Sequence, residues 1–471
     1  MAVCKEIGKR CLAVLLIVAM LSALCLFAGC GKDQVTVTFD TGGGTEIAAQ
    51  TIKRGETATE PQAPEKAGYV FAGWFCDGEE WSFTDCSVTE DVTLTARWET
   101  THVTVFGNTV TGLSAAGKTL ADIDITPTVG GYAITKIERC AFWNCKNIES
   151  VAIPYTMTQI GGGAFEGCSA LKAVYITDLA GWCGVLFVDA EANPLTHAHN
   201  LYHNGALLTD LVVPDGVTTI GRWAFYDCKH LTSVTMPNGV TEIGQNAFSK
   251  CTALTSATVS DSVVEIGESA FANCTALTTV TIGSGVKRIT GYAFTGCTGL
   301  SSVYYAGDVA GWCKIAFDSV YGNPLYNAHD LYIGGERVTA LTIPDGVYKI
   351  GPDAFAGCTS LTSVTLGRDV RNIDECAFLG CSGITSVAIG SDVRSIGNLA
   401  FYKCTGLTNV TIGSRVTQIG SRAFAECSNL TDMTFTGTVA QWNAIEKGTD
   451  WDALTGNYTV HCTDGDVAKT A

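Results

Sequence analysis

The sequence predicts a β-rich repeat solenoid of 23-residue units, preceded by a small β-rich domain. Three observations predict it. First, Ala-Phe-x-x-Cys recurs ten times, mostly 23 residues apart, and a fixed period in the twenties marks chains whose turns stack on one another. Second, the copies continue into variants of Leu-x-x-Val-x-Ile, the alternation of a short strand with its apolar residues on one face. Third, the chain has 52 glycines and only 16% charged residues, a composition that suits turn-rich β structure rather than disorder.

The N-terminus reads as an address. Lys5, Lys9 and Arg10 precede an uncharged stretch from Cys11 to Ala28. A basic start, an apolar middle and small residues before a cut form the pattern of an export signal. Leu26-Phe27-Ala28-Gly29-Cys30 resembles a bacterial lipobox, with Phe27 departing from the usual Leu. The resemblance implies cleavage after residue 29, lipidation of Cys30, and a chain tethered to the membrane and exposed at the cell surface. The competing reading is an uncleaved membrane helix, for which the apolar stretch is just long enough. Both readings export the rest of the chain.

After a linker at 30–34, residues 35–99 form a small domain. "VTVTFD" and "VTLTARW" alternate as strands, "TGGGT" is a turn, and Tyr69, Phe71, Trp74 and Trp98 supply core aromatics. An oxidising compartment permits a Cys76–Cys86 bridge, and the sequence leaves that pairing open. "GYVFAGW" followed by "VTEDVTLTARW" is similar to the Listeria–Bacteroides repeat found in internalin-B-type surface proteins. That resemblance implies a β-grasp-like fold serving as a spacer or a weak binding module.

The repeats occupy 134–435, with an N-terminal cap at 106–133 and a C-terminal cap and tail at 436–471. "LADIDITP" at 120–127 keeps strand spacing but lacks Phe-x-x-Cys, as a cap would. The unit reads Val-x-x-Ile-Gly-x-x-Ala-Phe-x-x-Cys-x-x-Leu-Thr-x-Val-Thr-Ile. Its Phe and Cys predict an inward ladder: Phe142 and Cys145, Phe165 and Cys168, Phe225 and Cys228, Phe248 and Cys251, Phe271 and Cys274, Phe294 and Cys297, Phe355 and Cys358, Phe378 and Cys381, Phe401 and Cys404, Phe424 and Cys427. Cysteine there acts as a small apolar side chain. Stacked equivalents point the same way, a poor geometry for disulfides. One ligand per rung is a poor basis for a metal site. The unit resembles the BspA-like leucine-rich repeat. This resemblance implies a curved right-handed solenoid, with a parallel sheet on its concave side, on a surface protein that binds host or neighbouring-cell components.

Two insertions, at about 177–213 and 306–343, resemble each other. Both carry Ala-Gly-Trp-Cys, Asn-Pro-Leu, Ala-His and Leu-Tyr, and "TVAQWNAIEKGTDWDALTGNYTVHC" is a partial third copy. Asp-x-Ala-x-Trp reads as a short helix start, and Asn-Pro-Leu as a break before a strand. His197, His199 and His203 are the best metal candidates. His199 matches His329, however, while the second insertion has Tyr326 and Ile333 where the first has Thr196 and His203. The shared histidine is therefore read as a hydrogen-bonded structural residue, with no metal and no other cofactor expected.

Outward strand positions such as Ser233, Thr235, Ser256, Thr258, Thr279 and Thr281 are chemically plain. Binding hot spots favour Trp, Tyr and Arg, and the aromatics concentrate in the insertions. The candidate surface is Trp182, Tyr202, Trp312, Tyr321, Tyr326 and Tyr332. The Trp and Tyr common to both insertions also read as core, whereas Tyr321 and Tyr326 are unshared and better suited to exposed contact.

A net charge of −17 disfavours nucleic acid as a partner. Gly-x-Ser-x-Gly, His-Glu-x-x-His, Walker and dinucleotide motifs are missing from the sequence, so no enzymatic activity is expected. The leading reading is a protein-binding, adhesin-like surface lipoprotein with ligands such as host matrix proteins or other cells. The alternatives are a passive envelope spacer and a lipoprotein that captures glycan or peptide for uptake.

Overall fold

A computed structural model describes residues 33–66, 69–100, 102–114, 116–129 and 132–469. The export signal and Cys30 lie outside the described residues. The chain divides into two compact units. The first runs to Thr104 and includes Leu113–Leu120 and Asp124–Tyr132. The second holds Val105–Gly112, Ala121–Ile123 and everything from Ala133 on. The expected cap at 106–133 is thus shared between the two.

The first unit is built on a five-stranded sheet. Gln34–Asp40 pairs antiparallel with Gln50–Lys53 and parallel with Val92–Thr100, which in turn pairs antiparallel with Tyr69–Cys76. Val37 and Leu94 are fully buried, and Trp74 packs edge-on against Phe39 at 4.9 Å. Phe71 and Trp98 pack partly buried against this core. The triple glycine has a steric reason. A Cβ on Gly44 would lie 2.5 Å from the Trp98 ring, and the Trp98 indole donates to the Thr41 carbonyl at 2.9 Å.

The second unit is a β-solenoid. Each regular repeat contributes two strands, where the sequence reading expected one. The longer strands, such as Ser233–Thr235, Ser256–Thr258 and Thr279–Ile282, pair in parallel with Val234, Ala257 and Val280 in register. A second parallel ladder comes from the Ile of Val-x-x-Ile-Gly. Thr219–Ile220, Glu242–Ile243 and Glu265–Ile266 align their isoleucines. These two-residue strands are too short to show an alternation in sequence, yet every such Ile is fully buried.

The core repeats rung by rung. Phe225, Phe248, Phe271 and Phe294 stack at 5.2–5.3 Å with ring planes within 9°. Phe355, Phe378, Phe401 and Phe424 form a second stack at 5.2–5.4 Å. Burying each ring is worth about 2–3 kcal/mol before entropy is counted. Outside the stack, threonine hydroxyls tie one rung to the next. Thr255 donates to the Thr232 carbonyl and Thr278 to the Thr255 carbonyl, each at 3.0 Å.

Glycine within the repeat answers to close packing. A Cβ on Gly283, after Ile282, would lie 2.2 Å from the Ser260 carbonyl oxygen. Positive φ falls elsewhere, two residues before and two after the Phe. Asn246 and Lys250 around Phe248 have φ of 56° and 62°, and Tyr292 and Gly296 around Phe294 have 63° and 74°. The bend around each Phe therefore passes twice through left-handed backbone, which favours Asn and Gly.

The strand ladders fall into three blocks. The longer-strand sheets hold five, seven and seven strands. Each ends in an antiparallel hairpin: Leu201–His203 with Ala206–Leu207, Leu331–Ile333 with Glu336–Arg337, and Thr459–Cys462 with Gly465–Ala468. The first two hairpins come from the two insertions, and the third begins with the last strand of the partial copy.

Candidate interaction surfaces

Each insertion is a modified solenoid turn. Leu186–Phe187 and Leu201–His203 of the first join the two ladders in parallel, as Ala316–Phe317 and Leu331–Ile333 of the second do. The Asp-x-Ala-x-Trp stretch is a short helix in both. Asp178 caps Leu179–Cys183 by accepting from Gly181 N at 3.0 Å, and Asp308 caps Val309–Trp312 from Gly311 N at 2.7 Å.

Trp182 and Trp312 do not belong to a surface. They are 2% and 0% exposed. Their indole nitrogens donate to the main-chain carbonyls of Ala224 and Ala354 at 2.9 and 2.7 Å. Each indole packs in the core against a buried Phe, Trp182 on Phe187 at 5.2 Å and Trp312 on Phe317 at 5.7 Å, and satisfies a carbonyl of the next rung, so neither residue can contact a ligand.

Asn-Pro-Leu does more than break the chain. Asn193 and Asn323 are fully buried. The Asn193 amide donates to the Trp223 carbonyl at 2.7 Å and accepts from Leu195 N at 2.9 Å. Asn323 repeats this with Asp353 and Leu325 at the same distances. In regular units the backbone N–H of Phe makes the equivalent rung contact, as from Phe225 to the Ala247 carbonyl at 2.8 Å.

The histidines go to separate partners. His197 lies 2.9 Å from Glu191, His199 lies 3.2 Å from Asp227 and 3.0 Å from the Lys229 ammonium, and His203 meets Asn204 at 3.0 Å. His329 meets the Gly357 carbonyl at 2.9 Å. His199 and His329 both take left-handed backbone at the end of a short helix. Burial lowers the His199 pKa against the pull of Asp227. Among the described residues no cluster of three or more His, Cys, Asp or Glu side chains could hold a metal.

The thiol ladder is a hydrogen-bond ladder. Cys168, Cys251, Cys274, Cys297, Cys381, Cys404 and Cys427 are fully buried and donate to the Phe carbonyl of the preceding unit at 3.0–3.2 Å. Burial pushes Cys168, Cys228 and Cys427 up to about 12 and Cys358 to about 11, and holds Cys274 well above the usual thiol range. These thiols stay protonated and chemically quiet. Cys145 departs from the expected inward position. It is only half-buried, with its sulfur 3.9 Å from the Trp143 carbonyl.

The remaining candidates are exposed tyrosines. Tyr321 and Tyr326 are 45% and 38% exposed and meet edge-on at 5.4 Å. Tyr292, which the sequence reading missed, stacks on Tyr321 at 5.9 Å and is 51% exposed. It sits at the left-handed position before Phe294. That position reads as a variable bend residue in sequence, and only the fold brings it to the insertion. Tyr202 and Tyr332 are half-buried, and each stacks on a tyrosine of the preceding unit, Tyr175 or Tyr304. Both partners occupy the outward strand position that Thr281 holds in a regular unit, a signal available in the alignment of the repeats.

Comparison with known proteins fits this architecture. The BspA type Leucine rich repeat region matches at residues 116–180, 198–322 and 331–445, together more than half of the chain. The chain belongs to the BspA-type leucine-rich repeat family. The Listeria-Bacteroides repeat domain matches at residues 36–97, so the BspA-type repeats follow a small domain of that kind. Internalin H of Listeria monocytogenes is 32% identical over 110 residues, covering 22% of this chain and 20% of that protein. A protein of Evansella cellulosilytica described as a membrane protein is 37% identical over 83 residues, 17% of this chain and 12% of the other. The matches thus span a fifth or less of these relatives. Among solved structures, a leucine-rich cell surface protein of Faecalibacterium prausnitzii is 24% identical, covering 82% of this chain and 98% of that one, with a TM-score of 0.40. A leucine-rich repeat protein of Bacteroides ovatus is 24% identical over 75% and 96%, with a TM-score of 0.42. No helix among the described residues is long and apolar enough to cross a membrane.

Proposed function

We propose that this BspA-type repeat protein is a non-enzymatic, adhesin-like interaction module, anchored through lipidated Cys30 and displayed at a bacterial cell surface. The observation that carries the reading is the cluster of Tyr292, Tyr321 and Tyr326. Three large aromatic side chains lie together and open to solvent, in mutual ring contact. Tyrosine buries much area at low entropic cost and is enriched at protein contact centres. Membership of a repeat family, the likeness of one segment to Internalin H and the lipobox at Leu26–Cys30 support the same reading. A protein ligand, such as a host matrix protein or a component of another cell, is the expected partner.

The test is a surface biosensor measurement on the purified protein against immobilised fibronectin, laminin, collagen and mucin at physiological salt. Saturable binding that weakens at least tenfold in Tyr292→Ala/Tyr321→Ala/Tyr326→Ala, with an unchanged melting temperature, supports the reading. No binding by a folded protein across that panel favours a passive envelope spacer instead.

A further inference from the structure

A second kind of aromatic site occurs twice on the longer-strand face, apart from the cluster at Tyr321. Tyr175 stacks on Tyr202 at 4.9 Å with ring planes 29° apart, and Tyr304 stacks on Tyr332 at 4.6 Å and 23°. The strand register places a small residue on the other side of each: Ala152 beside Tyr175 and Thr281 beside Tyr304. A ring stacked on one neighbour turns its opposite face towards the other. Tyr175 and Tyr304 are accordingly 39% and 37% exposed. Each site is a step, with an aromatic wall backed on one side and rising from a floor of short side chains.

The floor beside Tyr304 is neutral. Beside Tyr304 the outward positions are Ser256, Thr258, Thr279, Thr281 and Ser302, which carry no charge on a protein of net charge −17. Most charged groups in adjoining positions are ion-paired, Arg337 with Asp330 at 2.6 Å and Lys172 with Glu149 at 2.8 Å, whereas at the Tyr175 site the Asp122 carboxylate accepts from the Ser150 hydroxyl at 2.6 Å. An acidic or basic polymer therefore finds no counter-charge on the floor beside Tyr304. Short hydroxyl side chains also give a protein partner little apolar area to bury. A neutral sugar ring fits both features. Its C–H face packs on an open aromatic face, and its hydroxyls exchange hydrogen bonds with Ser and Thr.

We propose that Tyr175 and Tyr304 are two related stacking subsites for a neutral glycan, held in place by Tyr202 and Tyr332, with Ser150 and Ala152 beside the first and a Ser and Thr floor beside the second. Each lies in the unit just before an insertion, so one molecule offers the same subsite twice on one solenoid. The partial third copy puts Thr434 beside His461 at the equivalent place and has lost the stack. Two like sites suit a ligand with a repeating structure, whose second contact gains from the first.

The test titrates the purified protein calorimetrically with maltohexaose, cellohexaose and the N-acetylglucosamine hexamer, with heparin and polygalacturonate as charged controls. The expected result is saturable binding of at least one neutral hexasaccharide at two sites. Tyr304→Ala or Tyr175→Ala should remove one of the two sites or weaken affinity about tenfold. Tyr175→Ala/Tyr304→Ala should abolish binding, and Tyr304→Phe should keep it. Tyr321→Ala/Tyr326→Ala should leave sugar binding unchanged, which separates this proposal from the protein-binding reading. All four positions are solvent-exposed, and an unchanged thermal melt confirms that each variant folds. No binding of any neutral hexasaccharide, binding of the charged polymers alone, or full binding by the Tyr175→Ala/Tyr304→Ala protein would overturn the proposal.

Discussion

The side-chain amide of Asn323 reaches across to the next rung of the solenoid and donates to the main-chain carbonyls of Asp353 at 2.7 Å and Ala354 at 3.3 Å. The Trp312 indole meets the same Ala354 carbonyl. At the insertion, two side chains thus do what backbone N–H groups do elsewhere, and the solenoid crosses an interruption in both strand ladders.

Removing that amide should be costly. Asn323→Leu keeps the volume but leaves buried carbonyls and the Leu325 N–H short of partners, each worth about 1–3 kcal/mol. The expected loss is about 2–4 kcal/mol. In a repeat protein the loss should appear locally, because stability is a sum of neighbouring contacts. Hydrogen exchange should show residues 340–435 losing protection while the units around Phe248 and Phe271 keep theirs. Uniform loss along the chain would contradict the assignment.

The thiol ladder makes a chemical prediction. Cys274 is buried, donates to the Phe248 carbonyl at 3.1 Å and has a strongly raised pKa, so it should resist alkylation at pH 8. Exposed Cys140 should react within minutes. Iodoacetamide labelling followed by peptide mass spectrometry reads both, and denaturant should render Cys274 reactive. Replacing Cys274 by Ala removes a packed sulfur and a donor together, for an expected cost of about 1–3 kcal/mol.

Stability should depend on Asp353. Its carboxyl is buried beside Glu375, and burial followed by the repulsion of Glu375 pushes its pKa up to about 7. The folded state therefore holds a proton that the unfolded chain releases near pH 4. Stability contributed by that proton is full below about pH 4 and falls as pH rises towards 7, then levels. Asp227 shifts in the same direction and His199 in the opposite sense for acid stability, so the comparison is with a variant. Asp353→Asn should raise the urea midpoint at pH 8 more than at pH 5. An equal effect at both values would mean that Asp353 is ionised throughout.

How much of this was legible depends on period. The Phe and Cys positions recur every 23 residues, and their inward direction follows from chemistry alone. The strand of Thr279–Ile282 also shows its alternation. The ladder through Ile243 and Ile266 does not, because two residues carry no period. The insertions were recognisable as copies, but the roles of Trp182 and Asn193 depend on Ala224, some 30–40 residues further on, and separation of that kind is invisible without the stacked turns. Tyr292 and Tyr321 likewise meet only because the bend of one unit lies against the next.

The C-terminal end of the core tests the need for a cap. The ring stack stops at Phe424, where Trp451 meets it edge-on at 6.3 Å instead of stacking. Trp451 also packs against Trp442 at 6.0 Å and Tyr458 at 6.4 Å, while its carbonyl accepts from Phe424 N at 2.7 Å. The edge-on turn leaves no parallel face for a further rung, and the hairpin Thr459–Cys462 with Gly465–Ala468 closes the sheet beside it. Trp451→Ala keeps the backbone contact but opens the end of the stack to water. Trp451 is half-buried, so the expected cost is about 1–3 kcal/mol, below the range for truncating a fully buried aromatic. Fraying should begin there: amides of 424–462 should exchange first, then those around Phe401, with residues 225–294 unaffected. Exchange rates in Trp451→Ala that match the parent protein across 401–462 would show that the tryptophan only decorates the end of the solenoid.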